Sequence, residues 1–181
     1  MLAIWCHIIL RGRWYNIIVL NVHALSEEKS DDTKDSFYEE LEQVFEHFPQ
    51  YHIKILLGDF NAKVGRENVF KPTIGNESIH QESNDNGVRT VNLATSKNLV
   101  VKSTMFPHRN IHKYTWTSLD GKTHNEIYHT LIDRRWHSSI LDVRSFRGAD
   151  CDTDHSVVVA KVGERFTGHK QATQKFDGEA K

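Results

Sequence analysis

The sequence predicts an α+β protein, a layered α/β sandwich with sheet at its centre. Three observations predict it. Candidate strands outnumber candidate helices. Residues 53–57 form a short run, apolar but for Lys54, stopped by Gly58, which suits a central strand covered on both faces. Hairpin segments alternate with strand-helix-strand segments, and that alternation stacks sheets and helices in layers. At 181 residues the chain suits one domain with a proper core. Its 38% hydrophobic and 26% charged content is that of an ordinary folded protein.

In order along the chain, residues 3–10 and 14–22 read as a hairpin joined across Arg11-Gly12-Arg13. The second strand is rich in β-branched residues and is expected to bury Ile17, Val19 and Ile18. The first lacks a basic leader and contains His7, so it reads as a strand and not as a signal peptide or membrane span. A polar, acidic stretch over 26–32 leads into Phe37, Leu41, Val44 or Phe45, and Phe48. That helical spacing predicts an amphipathic helix ending near Pro49, its acids forming a solvated face.

After the central strand, a polar loop over 66–86 is long for a compact domain, and such loops are often functional or mobile. Residues 88–98 can form a short helix and 99–105 a strand. Segments 114–118 and 126–132 flank Asp120-Gly121, the strongest hairpin signal in the chain. Residues 140–146 and 157–162 complete the strand set. The chain then turns polar, so a domain over 1–166 and a disordered tail over 167–181 are expected.

Lys and Arg total 23 against 24 acids, a net charge of −1 that exerts no global pull on nucleic acid. Any polyanion binding must come from a local patch. Cys6 and Cys151 match no metal-ligand or redox spacing, which predicts reduced, buried thiols in an intracellular protein, nuclear or cytoplasmic.

Two short strings could carry chemistry. Gly58-Asp59-Phe60-Asn61 places a carboxylate and a carboxamide two apart at the end of a buried strand. Residues i and i+2 of a strand point the same way, so both can reach one cleft. Phosphodiester hydrolysis needs a base, an oriented water and donors for the developing oxyanion; Asp59 suits the base and Asn61 the positioning partner. The bland reading is that Asp59 caps the following turn. In the second string, Cys151-Asp152-Thr153-Asp154-His155, a protonated His155 could stabilise a phosphoryl oxygen, oriented by Asp154 or Asp152. A surface histidine beside acids is the bland reading in a chain with 12 histidines. His108 and His112 have no further ligand to complete a zinc set.

Taken in order, Gly58-Asp59-Phe60-Asn61, Asn86-Gly87, Tyr114-Thr115-Trp116, Asn125-Glu126-Ile127 and Asp154-His155 resemble the endonuclease/exonuclease/phosphatase family. Within it, the text is most similar to non-LTR retrotransposon endonuclease domains and their craniofacial development protein 2-like copies. The resemblance runs from Met1 to about Phe166. It implies a four-layer sandwich and an Mg²⁺-dependent cut of a DNA phosphodiester in a cleft at the strand ends. By position, it implies Asp59 as general base and Asn61 as the residue positioning phosphate or water. Asp154 is the carboxylate that orients or helps bind metal, His155 contacts the scissile phosphate, and Trp116 resembles the cleft-side aromatic region, although core packing suits it better.

Three departures accompany the resemblance. The family's opening strands, with an Asn and a metal-binding Glu, precede anything in this chain, so an N-terminal truncation and the loss of the usual magnesium ligand are expected. The strand after Asn125 normally carries an Asp after Ile, where this chain has Tyr128. His23 stands where the family has a phosphate-contacting Tyr, and can still donate a hydrogen bond. A retroelement-derived DNA endonuclease-like domain with weakened or no turnover is the resulting expectation. The alternatives are a noncatalytic interaction or scaffold remnant and a small-molecule phosphatase of the same fold.

Overall fold

The computed structural model describes residues 6–146 and 153–163. Cys151, Asp152 and the polar segment after Gly163 lie outside them. Strands β1 (Cys6–Leu10) and β2 (Ile17–His23) form the expected hairpin, and helix α1 (Asp31–His47) crosses to β3 (Ile53–Asp59), which runs parallel to β2. Helix α2 (Asp85–Ser96) leads to β4 (Leu99–Val101). The short strands β5 (Trp116–Thr117) and β6 (His124–Asn125), then β7 (Tyr128–Asp133), β8 (Ile140–Phe146) and β9 (Val157–Val162) follow. The main sheet has the order β1-β2-β3-β7-β4; β5-β6 and β8-β9 are separate two-stranded antiparallel sheets.

Alternation along the strands sorts the core into two. On one face Ile18, Leu20, Val22, Leu56 and Leu131 pack against Phe37, Leu41 and Phe45 of α1 and Val91 and Ala94 of α2. On the other, Ile53, Ile55 and Ile132 pack against Ile140 and Val143 of β8, with Val158 and Ala160 of β9 alongside. Among the described residues this makes three layers: helices, main sheet, small sheet. β3 is the middle strand, as its largely apolar run predicts.

Several expectations need correction. In β2 the helices cover Ile18, Leu20 and Val22, whereas Ile17 and Val19 are half-buried on the opposite face. α2 starts three residues earlier than the apolar pattern suggests, because the Asn84 side chain accepts from the Gly87 N–H and caps the helix. The strand expected over 99–105 gives way after Val101 to a 3₁₀ turn over Lys102–Met105. The Asp120-Gly121 turn joins β5 to β6, and the longer strand that follows belongs to the main sheet. The acids of α1 are not merely solvated: Arg89 pairs with Asp31 and Asp35, and Lys97 with Glu42 and Glu46, tying α1 to α2. Cys6 is exposed, not buried.

Candidate active site

Three strand ends lie side by side. The register pairs His23 of β2 with Asp59 of β3, and Asp59 with Tyr128 of β7. Paired residues share a face, and counting by twos from Ile55 through Leu57 puts this row on the small-sheet side. Gly58 makes the row possible: its φ is +142°, and a Cβ there would lie 2.0 Å from the Val22 carbonyl oxygen.

Asp59 is only 5% exposed, and its Oδ1 accepts the Asn61 backbone N–H at 2.8 Å. Burial pushes its carboxyl above the ordinary range, opposed by that hydrogen bond and by the nearby imidazoles of His23 and His155. His23 is 65% exposed, its Nδ1 3.9 Å from Asp59 Oδ2.

Asn61 is past the end of the strand, at φ +47°, so the expected i and i+2 alignment with Asp59 does not hold. Its Nδ2 donates instead to the Ala24 carbonyl at 2.8 Å. Asn61 therefore fixes the turn that holds Asp59, leaving its amide oxygen as the group free of that bond. Asn86, buried at the start of α2, secures the same turn by donating to the Asn61 and Leu25 carbonyls.

The second string reaches this row through β5. Trp116 and His155 form an antiparallel bridge, Thr117 N–H donates to the Asp154 carbonyl, and Ser156 N–H donates to the Thr115 carbonyl. Trp116 is half-buried and not a core residue: its Nε1 donates to Asp154 Oδ2 at 2.7 Å. Asp154 Oδ1 lies 3.7 Å from His155 Nε2. The His155 ring stacks on Tyr128, centroids 5.5 Å apart, and its Nδ1 is buried without a hydrogen-bond partner. Asp59, Tyr128, His155, Asp154 and His23 thus converge, although almost a hundred residues separate the two strings. Sequence reasoning treated Tyr128 only as a departure; its position directly after Ile127, opposite the strand-end carboxylate, was the available signal.

A larger cleft of about 540 Å³ lies at the opposite end of β3 and is lined by Lys54, Lys97, Asp133 and Arg135 among others. Its buried cation has a structural task. Lys54 Nζ donates to the Phe45 and Phe48 carbonyls at the C-terminus of α1, where positive charge is favoured.

The relatives agree with the layered architecture. The chain is 30% identical over 168 residues to craniofacial development protein 2 of Tragulus javanicus and 31% over 166 to that of Bos taurus. It spans 29% and 28% of their lengths. It matches no family model. Among solved structures, the 3′ phosphatase NExo from Neisseria, bound to product DNA hairpin, superposes with a TM-score of 0.59 at 22% identity, covering 87% of this chain and 65% of that one. The endonuclease domain of TRAS1, a telomere-specific non-LTR retrotransposon, gives 0.59 at 14% identity, covering 87% and 61%. The AP endonuclease LMAP from Leishmania major gives 0.59 at 12%, covering 90% and 55%.

The chain has the endonuclease/exonuclease/phosphatase fold. It is a relative of craniofacial development protein 2. Within that fold, the row of strand ends and the Asp154-His155 segment lie together. The described residues contain no group of three His, Cys, Asp or Glu side chains arranged to hold a metal. Of the two carboxylates at the cleft, Asp59 is bound to the Asn61 N–H and Asp154 to the Trp116 indole. By themselves these residues do not fit a magnesium site. No helix among them is long and apolar enough to cross a membrane.

Proposed function

We propose that this chain is a retroelement-derived, DNA-directed phosphodiesterase domain of weak turnover. The reading rests on one observation: Asp59 pairs with Tyr128 across the sheet, and His155 stacks on the Tyr128 ring within electrostatic reach of Asp59. In this reading Asp59 takes the proton from the attacking water. Burial moves its carboxyl up toward the operating pH, where a base accepts protons with more driving force. His155, when protonated, donates to a non-bridging phosphate oxygen, and Asp154, held by Trp116, orients the imidazole. His23 offers a second donor at the cleft rim, and Asn61 holds the base in place.

Mg²⁺ is the cofactor that the resemblance implies. Because the described side chains do not assemble its ligand set, every role above is assigned to the protein's own groups, and weak turnover follows: one lost oxyanion-stabilising group costs about a hundredfold or more in rate. A noncatalytic DNA-binding role is the second reading, favoured by Tyr128 standing between the two carboxylates.

Cleavage of an end-labelled DNA duplex, with Mg²⁺ and with EDTA, tests the proposal against Asp59→Ala and His155→Ala. Cutting by the native chain should fall by about a hundredfold or more in each variant. Undiminished cutting by Asp59→Ala refutes the assignment of the base; DNA binding without any cutting by the native chain selects the second reading.

A further inference from the structure

Tyr128 lies between Asp59, its partner in the sheet, and His155, its partner in a ring stack, yet neither the base nor the imidazole role uses it. It sits directly opposite Asp59 in the sheet, stacks face to face on His155 at 27° between ring planes, and lies within electrostatic reach of Asp154. Its backbone N–H is held by Thr115 Oγ1, which also takes the Ile127 N–H, so the residue's position is fixed from behind. Its ring borders packed side chains of the small sheet, Val143, Ser145 and Val158. The hydroxyl takes no hydrogen-bond partner among the described residues. Burial, then Asp59 and Asp154, hold the phenol's proton on more tightly than usual. A donor without an acceptor therefore lies within electrostatic reach of two carboxylates.

A carboxylate at this position would add a third negative charge and repel a phosphate unless a cation lay between them. A phenol reverses that: it offers a proton to an anionic oxygen with no cation required. We propose that Tyr128 is a substrate-binding residue whose phenol donates a hydrogen bond to a phosphate oxygen of a DNA strand, while its ring fixes the imidazole of His155 for a second contact. The inference rests on the reading of this cleft as a phosphate site, but not on turnover. It implies phosphate binding that persists when divalent cations are removed.

The test is binding of a fluorescein-labelled DNA duplex in EDTA, followed by anisotropy, with inorganic phosphate as competitor. Tyr128→Phe keeps the ring and removes the donor; it should weaken binding by about tenfold, the loss expected for a hydrogen bond to a charged group. Tyr128→Asp should bind more weakly than Tyr128→Phe in EDTA. The stacking half has its own readout: the ring protons of His155 should keep their upfield NMR shift in Tyr128→Phe and lose it in Tyr128→Ala. Failure of the native chain to bind DNA in EDTA, or Tyr128→Phe binding as tightly as native, overturns the contact. Unmoved His155 protons in Tyr128→Ala overturn the platform. The hydrolysis reading is judged separately by its cleavage assay, since an inactive chain can still pass this one.

Discussion

Glu126 gives the sharpest prediction, because its titration is written into the stability of the fold. The side chain is 3% exposed, with a distant Ile79 N–H at 3.4 Å as its hydrogen bond. Burial pushes its carboxyl from an ordinary 4.5 up to about 8, against a smaller pull from Lys113 and the Ile79 bond. The folded protein therefore keeps a proton that the unfolded chain releases near pH 4.5. Stability from this group is fully present below that value and is lost as the pH rises through about 8. The interval corresponds to roughly 5 kcal/mol in all, of which about 3 kcal/mol falls between pH 5 and pH 8. Glu126→Gln removes the titration while keeping shape and neutrality. His80 and His129, which burial holds down at about 4, lose stability in the opposite direction as pH falls below 6.5, but they are common to both proteins and cancel in the difference. Urea unfolding at pH 5, 6.5 and 8 should show the two proteins nearly equal at pH 5. At pH 8 the Gln variant should lead by roughly 1–2 M in midpoint. Parallel pH profiles for the two would refute the reasoning.

Gly58→Ala should destabilise by more than about 3 kcal/mol, read as a thermal midpoint, because the residue is at φ +142° and the added Cβ would meet the Val22 carbonyl; a neutral result would mean that the strand end can shift. Trp116→Phe removes the indole N–H that holds Asp154 together with part of a half-buried ring, so stability should change by no more than about 1–2 kcal/mol. DNA affinity or cutting should nevertheless drop several-fold, and an unchanged value in both would show that the tie does not position His155.

The fold was legible where local pattern and tertiary role coincide. β3 shows as an apolar run, interrupted only at Lys54 over residues 53–57, because both of its faces are covered, and α1 shows its apolar stripe because only one side is. The failures have physical causes. β2 is apolar on both faces, so its pattern holds no phase, and the helices rather than the sequence decide that Ile18, Leu20 and Val22 go deepest. The start of α2 lies in a polar cap, invisible to hydrophobic periodicity. For the site, Asp59 and the Asp154-His155 pair were recognisable as strings. Asn61 misled because the strand ends one residue after Gly58 and the chain turns left-handed, which changes where the amide points. Tyr128 was read by what it is not. Its partner in the stack comes from a segment 27 positions later, and no one-dimensional pattern reports such a pairing.

Two different kinds of support meet at the cleft. His23, Asp59 and Tyr128 are carried by neighbouring strands of one ladder, so their spacing is as rigid as the sheet itself. Asp154 and His155 are hung on the two-residue strand β5 by a bridge, a backbone bond and one indole. Thr115 joins the two systems. Its hydroxyl takes the N–H groups of Ile127 and Tyr128, its carbonyl takes that of Ser156, and it is 2% exposed. Because buried N–H groups without acceptors are costly, these bonds hold Tyr128 and the segment leading into β9 to one residue. The imidazole then rests on a ring whose own backbone is anchored at the same point. The stack of His155 on Tyr128 thus leans on the hydrogen bonding of Thr115, and the geometry of the proposed phosphate site depends on a residue to which no contact with substrate is assigned.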